Sequence, residues 1–441
     1  MIQLPDSFNY RKLLQFTFPS IVMMIFTSIY GVVDGFFVSN FAGKTPFAAV
    51  NFIMPMLLIL GCVGFMFGTG GSALISKTLG EGKSRKANEL FSMLVYVSII
   101  LGILLAVLGF FLIRPVAVIM GAEGELLEDC LLYGKINLLA LPFYILQYEF
   151  QCLFAAAEKP KLGLYITVAS GITNMVLDGL FVAVFSWGLA GAAVATAFSQ
   201  FVGGILPVFY FAGKNESRFQ LVRFQFDGRA LVKICTNGAS ELMSNISMSF
   251  VGMLYNIQLM KYAGENGVAA YGVLMYVSMV FQAVFLGYAV GMAPVVSYHY
   301  GAGNKKEVKN LLRRSILLIG SFSAAMCVMG ELLGRPFSVL FVGYDGELLD
   351  LTAHAFAVFS LSFLFSGFAI LGSSFFTALN DGLTSALISF LRTLVFEAAA
   401  IMIFPMIWGI DGIWWSVVAA EILAVLVTIL FLVKKRKRYL N

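Results

Sequence analysis

Charge is scarce in this chain. Asp, Glu, Lys and Arg together make up 12% of its 441 residues, where a soluble domain carries about 25%. That shortage excludes an ordinary water-solvated surface. Histidine is nearly absent, with two residues; His299 and His354 read as packing or interfacial side chains rather than proton relays. The five cysteines (Cys62, Cys130, Cys152, Cys235, Cys327) are scattered through apolar stretches without a Cys-x-x-Cys pair. They read as packing residues, and disulfide or metal-cluster chemistry finds no support in their spacing. No His-Glu-x-x-His or Gly-x-Ser-x-Gly motif occurs, which disfavours a membrane-embedded enzyme and leaves no resident cofactor to expect. Low-complexity segments are missing too, and no loop is long enough to hold a soluble domain.

Apolar sequence fills the space, at 60% of the chain. A run of about 20 apolar residues crosses the hydrocarbon core. Twelve such runs are present, near 13–37, 46–76, 89–113, 131–156, 161–185, 188–212, 231–262, 267–297, 310–334, 352–378, 383–407 and 411–433. They predict an all-α integral membrane protein. Several exceed the minimum length, so tilt or kinks are expected, and Pro19 and Pro55 interrupt two of them. The first run has no small-residue cleavage site and is expected to remain as the first span.

Basic residues orient the spans. With the N-terminus inside, the inner segments hold 23 Lys and Arg and the outer segments 5, with Arg392 alone inside a span. This asymmetry predicts two cytoplasmic termini. The net charge of +5 then reflects membrane orientation and not a nucleic-acid partner. The tail Lys434-Lys435-Arg436-Lys437-Arg438 reads as an anchor at the anionic inner leaflet.

The sequence also repeats. Residues 34–115 lie over 255–336 at a constant offset of 221. Ala42-Gly43 falls on Ala263-Gly264, Gly70 on Gly291, Ser76-x-x-x-Gly80-x-Gly82 on Ser297-x-x-x-Gly301-x-Gly303, and Arg114-Pro115 on Arg335-Pro336. One residue out of register, Gly124-Glu125-Leu126-Leu127 returns as Gly346-Glu347-Leu348-Leu349. Positions 34 to 91 give 11 identities in 58 pairs; the unbroken register carries the argument. It predicts two pseudo-symmetric six-helix lobes, 1–212 and 230–441, joined by a cytoplasmic linker at 213–229. Duplicated membrane halves are a common build of secondary transporters. A channel gives no reason for two halves that rock.

Ionisable groups inside spans are costly and point to function. Asp34, Glu149, Asp178, Glu241, Glu331, Arg392, Glu397 and Glu421 are the candidates. At 1.5 Å per residue, Asp34 and Asp178 reach similar depths in the outer half of the bilayer, and Thr196 comes to the same level. Asn174 and Tyr30 precede the two aspartates by four residues and share their helix faces. These five residues read as one polar site. Two carboxylates buried together suit a proton or a small cation, and the oxygens of Asn174 and Thr196 suit Na⁺. Glu149 is a candidate lining residue of a substrate cavity, with Gln147 and Gln151 near it. Glu241 lies near an inner helix end, within reach of water. Glu331 and Glu421 are expected near interfaces or against polar neighbours. Pro19, fifteen residues before Asp34, is a candidate hinge. The many Phe and Met residues suit a cavity for apolar organic cations.

Pro19-Ser20, Val33-Asp34, Ala42-Gly43, Ala48-Ala49, Gly80-x-Gly82 and Asn174-x-x-x-Asp178, set in two six-span halves, give the chain its family likeness. It resembles the multidrug and toxic compound extrusion (MATE) family over nearly its whole length, and most of all the DinF-like and MepA-like prokaryotic branch. The resemblance implies a V-shaped pair of lobes in a bacterial or archaeal cell membrane. It implies export of small organic, cationic or amphipathic compounds in exchange for H⁺ or Na⁺; a monomer is expected, with oligomeric state left open by the sequence. It also implies a first-lobe ion site at Tyr30, Asp34, Asn174, Asp178 and Thr196, a helix-one proline at Pro19, and a polar helix-four residue at Gln151. Glu149 and Glu397 complete the expected cavity residues. Two departures stand out. Span 352–378 has no acidic residue where other branches carry one. The fourth helix ends Phe154-Ala155-Ala156-Ala157-Glu158 where an Arg-Ala-x-Gly-like stretch is usual, so a role for that arginine does not carry over. A lipid-linked oligosaccharide flippase of the same superfamily is the alternative, disfavoured because Arg392 is the only base deep in a span.

Overall fold

The computed structural model describes residues 2–439. The outermost residues of the two expected lobes, 1 and 440–441, lie outside the described residues, as do the side chains of Ser39 and Lys44. Helices dominate, because a backbone in hydrocarbon must satisfy its own hydrogen bonds. The first six spans are α1 Tyr10–Ala42, α2 Thr45–Gly80, α3 Ser84–Ile119, α4 Gly124–Ala156, α5 Pro160–Val184 and α6 Gly188–Ala212.

A helical stretch of 74 residues follows, Gly228–Gly301. Straight, it would run about 110 Å, more than three times the hydrocarbon thickness. It breaks at Gly264, where φ is 62° and ψ −149°. Tyr255 and Tyr271, on either side of the break, stack with ring centroids 4.9 Å apart, so the chain turns back on itself there. The two limbs are α7 (228–263) and α8 (265–301). Next come α9 Lys305–Val342 and α10, which joins Gly346–Ser360 to Phe363–Ala378 through a bend of 47°. The last two are α11 Gly382–Trp408 and α12 Ile410–Tyr439. All twelve expected spans are therefore present. Proline inside helices is commoner than the two expected interruptions: Pro142, Pro207, Pro294 and Pro405 also lie within spans.

The halves repeat in backbone geometry as well as in sequence. Left-handed φ values recur at equivalent positions: Gly43 (109°) and Gly264 (62°), Gly82 (80°) and Gly303 (70°), Glu158 (60°) and Asn380 (58°), Gly188 (57°) and Gly409 (59°). Each pair marks the same turn in its own half.

The same symmetry governs how the halves meet. A side chain at Gly80 would overlap the carbonyl of Tyr298, and one at Gly301 the carbonyl of Lys77. Gly70 presses on Ile234 and Gly238 on Met66, while Gly287 and Gly291 press on Ser20, Ile21 and Thr17. The inner half of α2 thus lies against α7, and α8 against α1, backbone to backbone. Only glycine permits so close an approach.

This contact sits at the end of the molecule that carries the basic segments. Straps reinforce it there. Lys86 pairs with Asp227 at 2.9 Å, and Ser92 Oγ accepts from Val222 N at 2.8 Å, tying the linker to α3. The N-terminal segment crosses between the halves. Leu4 N donates to Glu158 Oε1 at 2.7 Å and Phe8 N to Glu307 Oε1 at 2.9 Å. Leu4 and Phe8 are fully buried.

Gly80→Val or Gly301→Val is expected to cost about 1–3 kcal/mol by overpacking. Gly272, which has open space around it, serves as the control: Gly272→Val should stay within about 0.5 kcal/mol. Thermal unfolding in detergent measures both.

Candidate functional site

Above the glycine contact the halves separate around a cavity of about 640 Å³. Met24 from α1 and Ala283 and Val290 from α8 pack together at its apolar floor. Its two walls are polar in different ways.

The first wall starts from α1. Gly171 on α5 has no room for a side chain beside Phe26 and Tyr30, so α5 lies tightly on α1. Asn174 and Asp178 follow Gly171 by three and seven residues, on the same buried helix face. That contact carries them to Asp34. The Asp34 carboxyl faces Asp178, Asn174 and Thr196, and Thr196 Oγ1 donates to Asp34 Oδ1 at 3.4 Å. Asp178 is 0% exposed, Asn174 1% and Asp34 9%. Both carboxyl oxygens of Asp178 and the Oδ1 of Asn174 are buried and take no hydrogen bond from the described residues. Tyr30 stands between Asp34 and the pair Gln147 and Tyr148. All five sequence-predicted site residues are therefore neighbours.

Tyr133 belongs to the same wall and escaped the sequence reading. It is fully buried and lies beside Asp34, Asp178 and Thr196, its hydroxyl facing Thr196 and Asn137. Its signal was present: Tyr133 and Asn137 repeat the four-residue polar spacing of Tyr30/Asp34 and Asn174/Asp178. The backbone leaves α-helical geometry just after each aspartate, in π-helical turns at Val38–Ala42 and Gly179–Val184. Such turns collect at functional sites.

The second wall comes from α7, α8, α11 and α12. Arg392 Nε donates to Glu421 Oε1 and Oε2 at 3.0 and 2.9 Å, and Nη2 to Oε1 at 2.8 Å. Their side chains are 14% and 7% exposed. Glu241, Tyr271 and Glu397 line the cavity with them.

A family model decides the affiliation. The MatE model matches residues 19–180 and again 242–402, once in each half and over most of the chain. The chain belongs to the MatE family. "Multidrug export protein MepA" of Staphylococcus haemolyticus is 24% identical over 98% of this chain and 95% of its own length. A solved structure described as "Crystal structure of MATE in complex with MaL6" superposes with a TM-score of 0.93 at 22% identity, covering 98% of both chains. Another, "Outward-facing conformation of a multidrug resistance MATE family transporter of the MOP superfamily", gives a TM-score of 0.93 at 21% identity over 98% of this chain and 97% of that one. At that identity the superpositions speak for the fold: two lobes of six membrane helices.

Three expectations need correction in this MatE protein. Glu149 does not line the cavity. The cavity face of α4 runs through Tyr133, Asn137, Leu141, Tyr144 and Tyr148, and Glu149 is about 100° around the helix from Tyr148. It points instead toward Ser98 on α3, with its backbone against Gly68 of α2. Gln151 keeps the helical register but lies a turn nearer the basic end, where α4 is buried on all sides; among the described residues neither of its amide atoms finds a partner. Glu241, expected near water at a helix end, is a cavity residue. Glu397 does line the cavity, and Glu421 meets a polar neighbour in Arg392. Pro19 lies within an unbroken helix beside the Gly287 and Gly291 contact.

Arg392→Met alone should destabilise the protein by on the order of 3 kcal/mol, because Glu421 is left buried without its partner. The double variant with Glu421→Met should recover most of that loss. Thermal unfolding of the three proteins tests the coupling.

Proposed function

We propose that this protein is a secondary active exporter of small organic, largely cationic compounds, driven by inward movement of H⁺ or Na⁺. The observation that carries this reading is the first wall: two adjacent, buried carboxylates with unpartnered oxygens, beside a closed-ended cavity. Two ionised carboxylates cannot share such a place without a counter-charge. A proton on one of them satisfies the site, and so does a small cation held by Asp34, Asp178, Asn174 Oδ1 and Thr196 Oγ1. Donor chemistry of this kind fits Na⁺, which is cargo of the cycle rather than a resident cofactor.

The cycle follows from where the halves touch. With the basic end on the cytoplasmic side, as the Lys and Arg distribution supports, the cavity is closed inward and opens outward. Coupling-ion entry neutralises the acids, removes the cost of taking them further from water, and favours closure of the outer ends. Ion release to the cytoplasm restores the charge. Each elementary charge moved inward contributes about 2.3 kcal/mol per 100 mV of membrane potential. The multidrug export named for the Staphylococcus relatives is consistent with this reading, and so is the mixed apolar and tyrosine-rich lining.

Dye efflux tests it. Cells lacking their own pumps and carrying this protein should extrude ethidium, and the imposed gradient that sustains efflux identifies the coupling ion. Asp34→Asn should lower the rate by about tenfold or more, since a neutral amide neither takes up a proton nor balances a cation. Equal efflux by the wild type and Asp34→Asn would make Asp34 structural. No dye movement by either would shift attention to the lipid-linked cargo of a flippase.

A further inference from the structure

We propose that Glu149 is a proton-binding site in its own right, apart from the Asp34 wall, and that the proton it holds keeps the basic ends of the two halves together. Glu149 is 0% exposed and lies in the core of the first half, where α2, α3 and α4 meet. Its carboxyl faces Ser98 on α3. The titratable group beside it is Cys152, three residues on along α4, which lies within the field of both Glu149 and Glu241 of α7. Among the described residues no base meets Glu149, and neither of its oxygens closes a hydrogen bond. A charge there has nothing to answer it, whereas a neutral acid with Ser98 beside its O–H fits.

The other half shows that the fold needs no acid at this place. In the register that pairs Glu158 with Asn380, Glu149 pairs with Leu371; at the offset of 221, Ser98 pairs with Ile319. Leu371 is 3% exposed and Ile319 1%, both within the apolar core. One half fills the slot with hydrocarbon and the other with a carboxyl and a hydroxyl. An ionisable group kept where leucine packs is a group with a task.

Position supplies that task. A side chain at Gly68 of α2 would come within 3.1 Å of Glu149 Cα and 3.0 Å of Cys152, so α2 lies directly on this stretch of α4. On the same turns of α2, Gly70 presses on the Ile234 carbonyl and the Met66 carbonyl meets Gly238, both from α7. α2 is therefore a partition one helix thick, with Glu149 behind it and the contact between the halves in front. Ionised Glu149 draws water into the space behind α2. The backbone-to-backbone contact in front has no slack to absorb the resulting shift. Loss of the proton opens the basic end, and uptake of a proton lets it reseal. With that end in the cytoplasm, an alkaline cytoplasm holds the protein open to cargo. This role holds whichever ion drives export, and whether or not Asp34 carries it.

Spin labels measure the opening in purified full-length protein in nanodiscs. Arg85→Cys and Lys306→Cys carry them, at exposed positions related by the repeat. Cys235→Ala removes the native cysteine that is not buried, and Asp34→Asn removes the response of the other wall. In this parent the closed-to-open ratio should fall as pH rises above the ordinary glutamate range, about 4.3. The fall should reach at most about tenfold per pH unit, the slope of a single proton. Glu149→Gln keeps the shape of the neutral acid and should stay closed throughout. Glu149→Leu, which copies Leu371, should also stay closed and should unfold at no lower temperature than the parent. Infrared spectra at neutral pH should show the C=O band of protonated carboxyls losing intensity with Glu149→Gln. The proton site is overturned if the parent does not open with pH, if Glu149→Gln opens as the parent does, if the infrared band is unchanged, or if Glu149→Leu unfolds at a lower temperature. Absence of dye efflux by the wild type would sink the export reading and leave a Glu149-dependent titration standing.

Discussion

The two halves meet through bare backbone at one end, and the rest of the molecule is arranged around that contact. Gly70 and Gly80 in the first half, and Gly238, Gly287, Gly291 and Gly301 in the second, admit main chain where any side chain would hold the helices apart. Because the contact is confined to the basic end, the helices diverge beyond it and leave the cavity. Lipid tails offer little to drive apolar association in a bilayer, so close van der Waals packing through small residues has to hold the halves together. The N-terminal segment and the linker add polar ties at the same end, where water and charged side chains are available.

Divergence creates the electrostatic problem that the walls address. Ionisable groups this deep are tolerated only with a partner or a task. The second half answers one acid internally, through Arg392 and Glu421. Among the described residues no base pairs with Asp34 or Asp178, and in the proposed cycle the coupling ion supplies their counter-charge. That asymmetry fits the proposed exchange cycle, with a built-in counter-charge in one half and a mobile one for the other. Three π-helical turns lie beside these groups, after Asp34, after Asp178 and between Arg392 and Glu397. Each re-aims side chains without breaking a span.

Much of this was legible in the residues. The spans were readable because crossing a bilayer demands length and apolarity, and the duplication because its register has no gap. The Asp34 site was readable because depth along a helix and four-residue spacing are one-dimensional quantities. Tyr133 was missed because the acid that drew attention on its helix, Glu149, faces away from the site. Glu149 was misplaced because rotation about a helix axis cannot be fixed by composition when several faces are polar. Arg392 and Glu421, 29 positions apart, carry no local sign that they meet.

The sequence by itself determined the class, the number of spans, the repeat and the polar level of the first half, since each follows from local length, periodicity and count. The tertiary structure decided which end of the halves is closed, which acids face the cavity, and which acid the single buried arginine neutralises. Those outcomes depend on helix rotation and on contacts between distant segments. Glycine-to-backbone packing sets both, and the glycine spacing alone does not say which backbone each will meet.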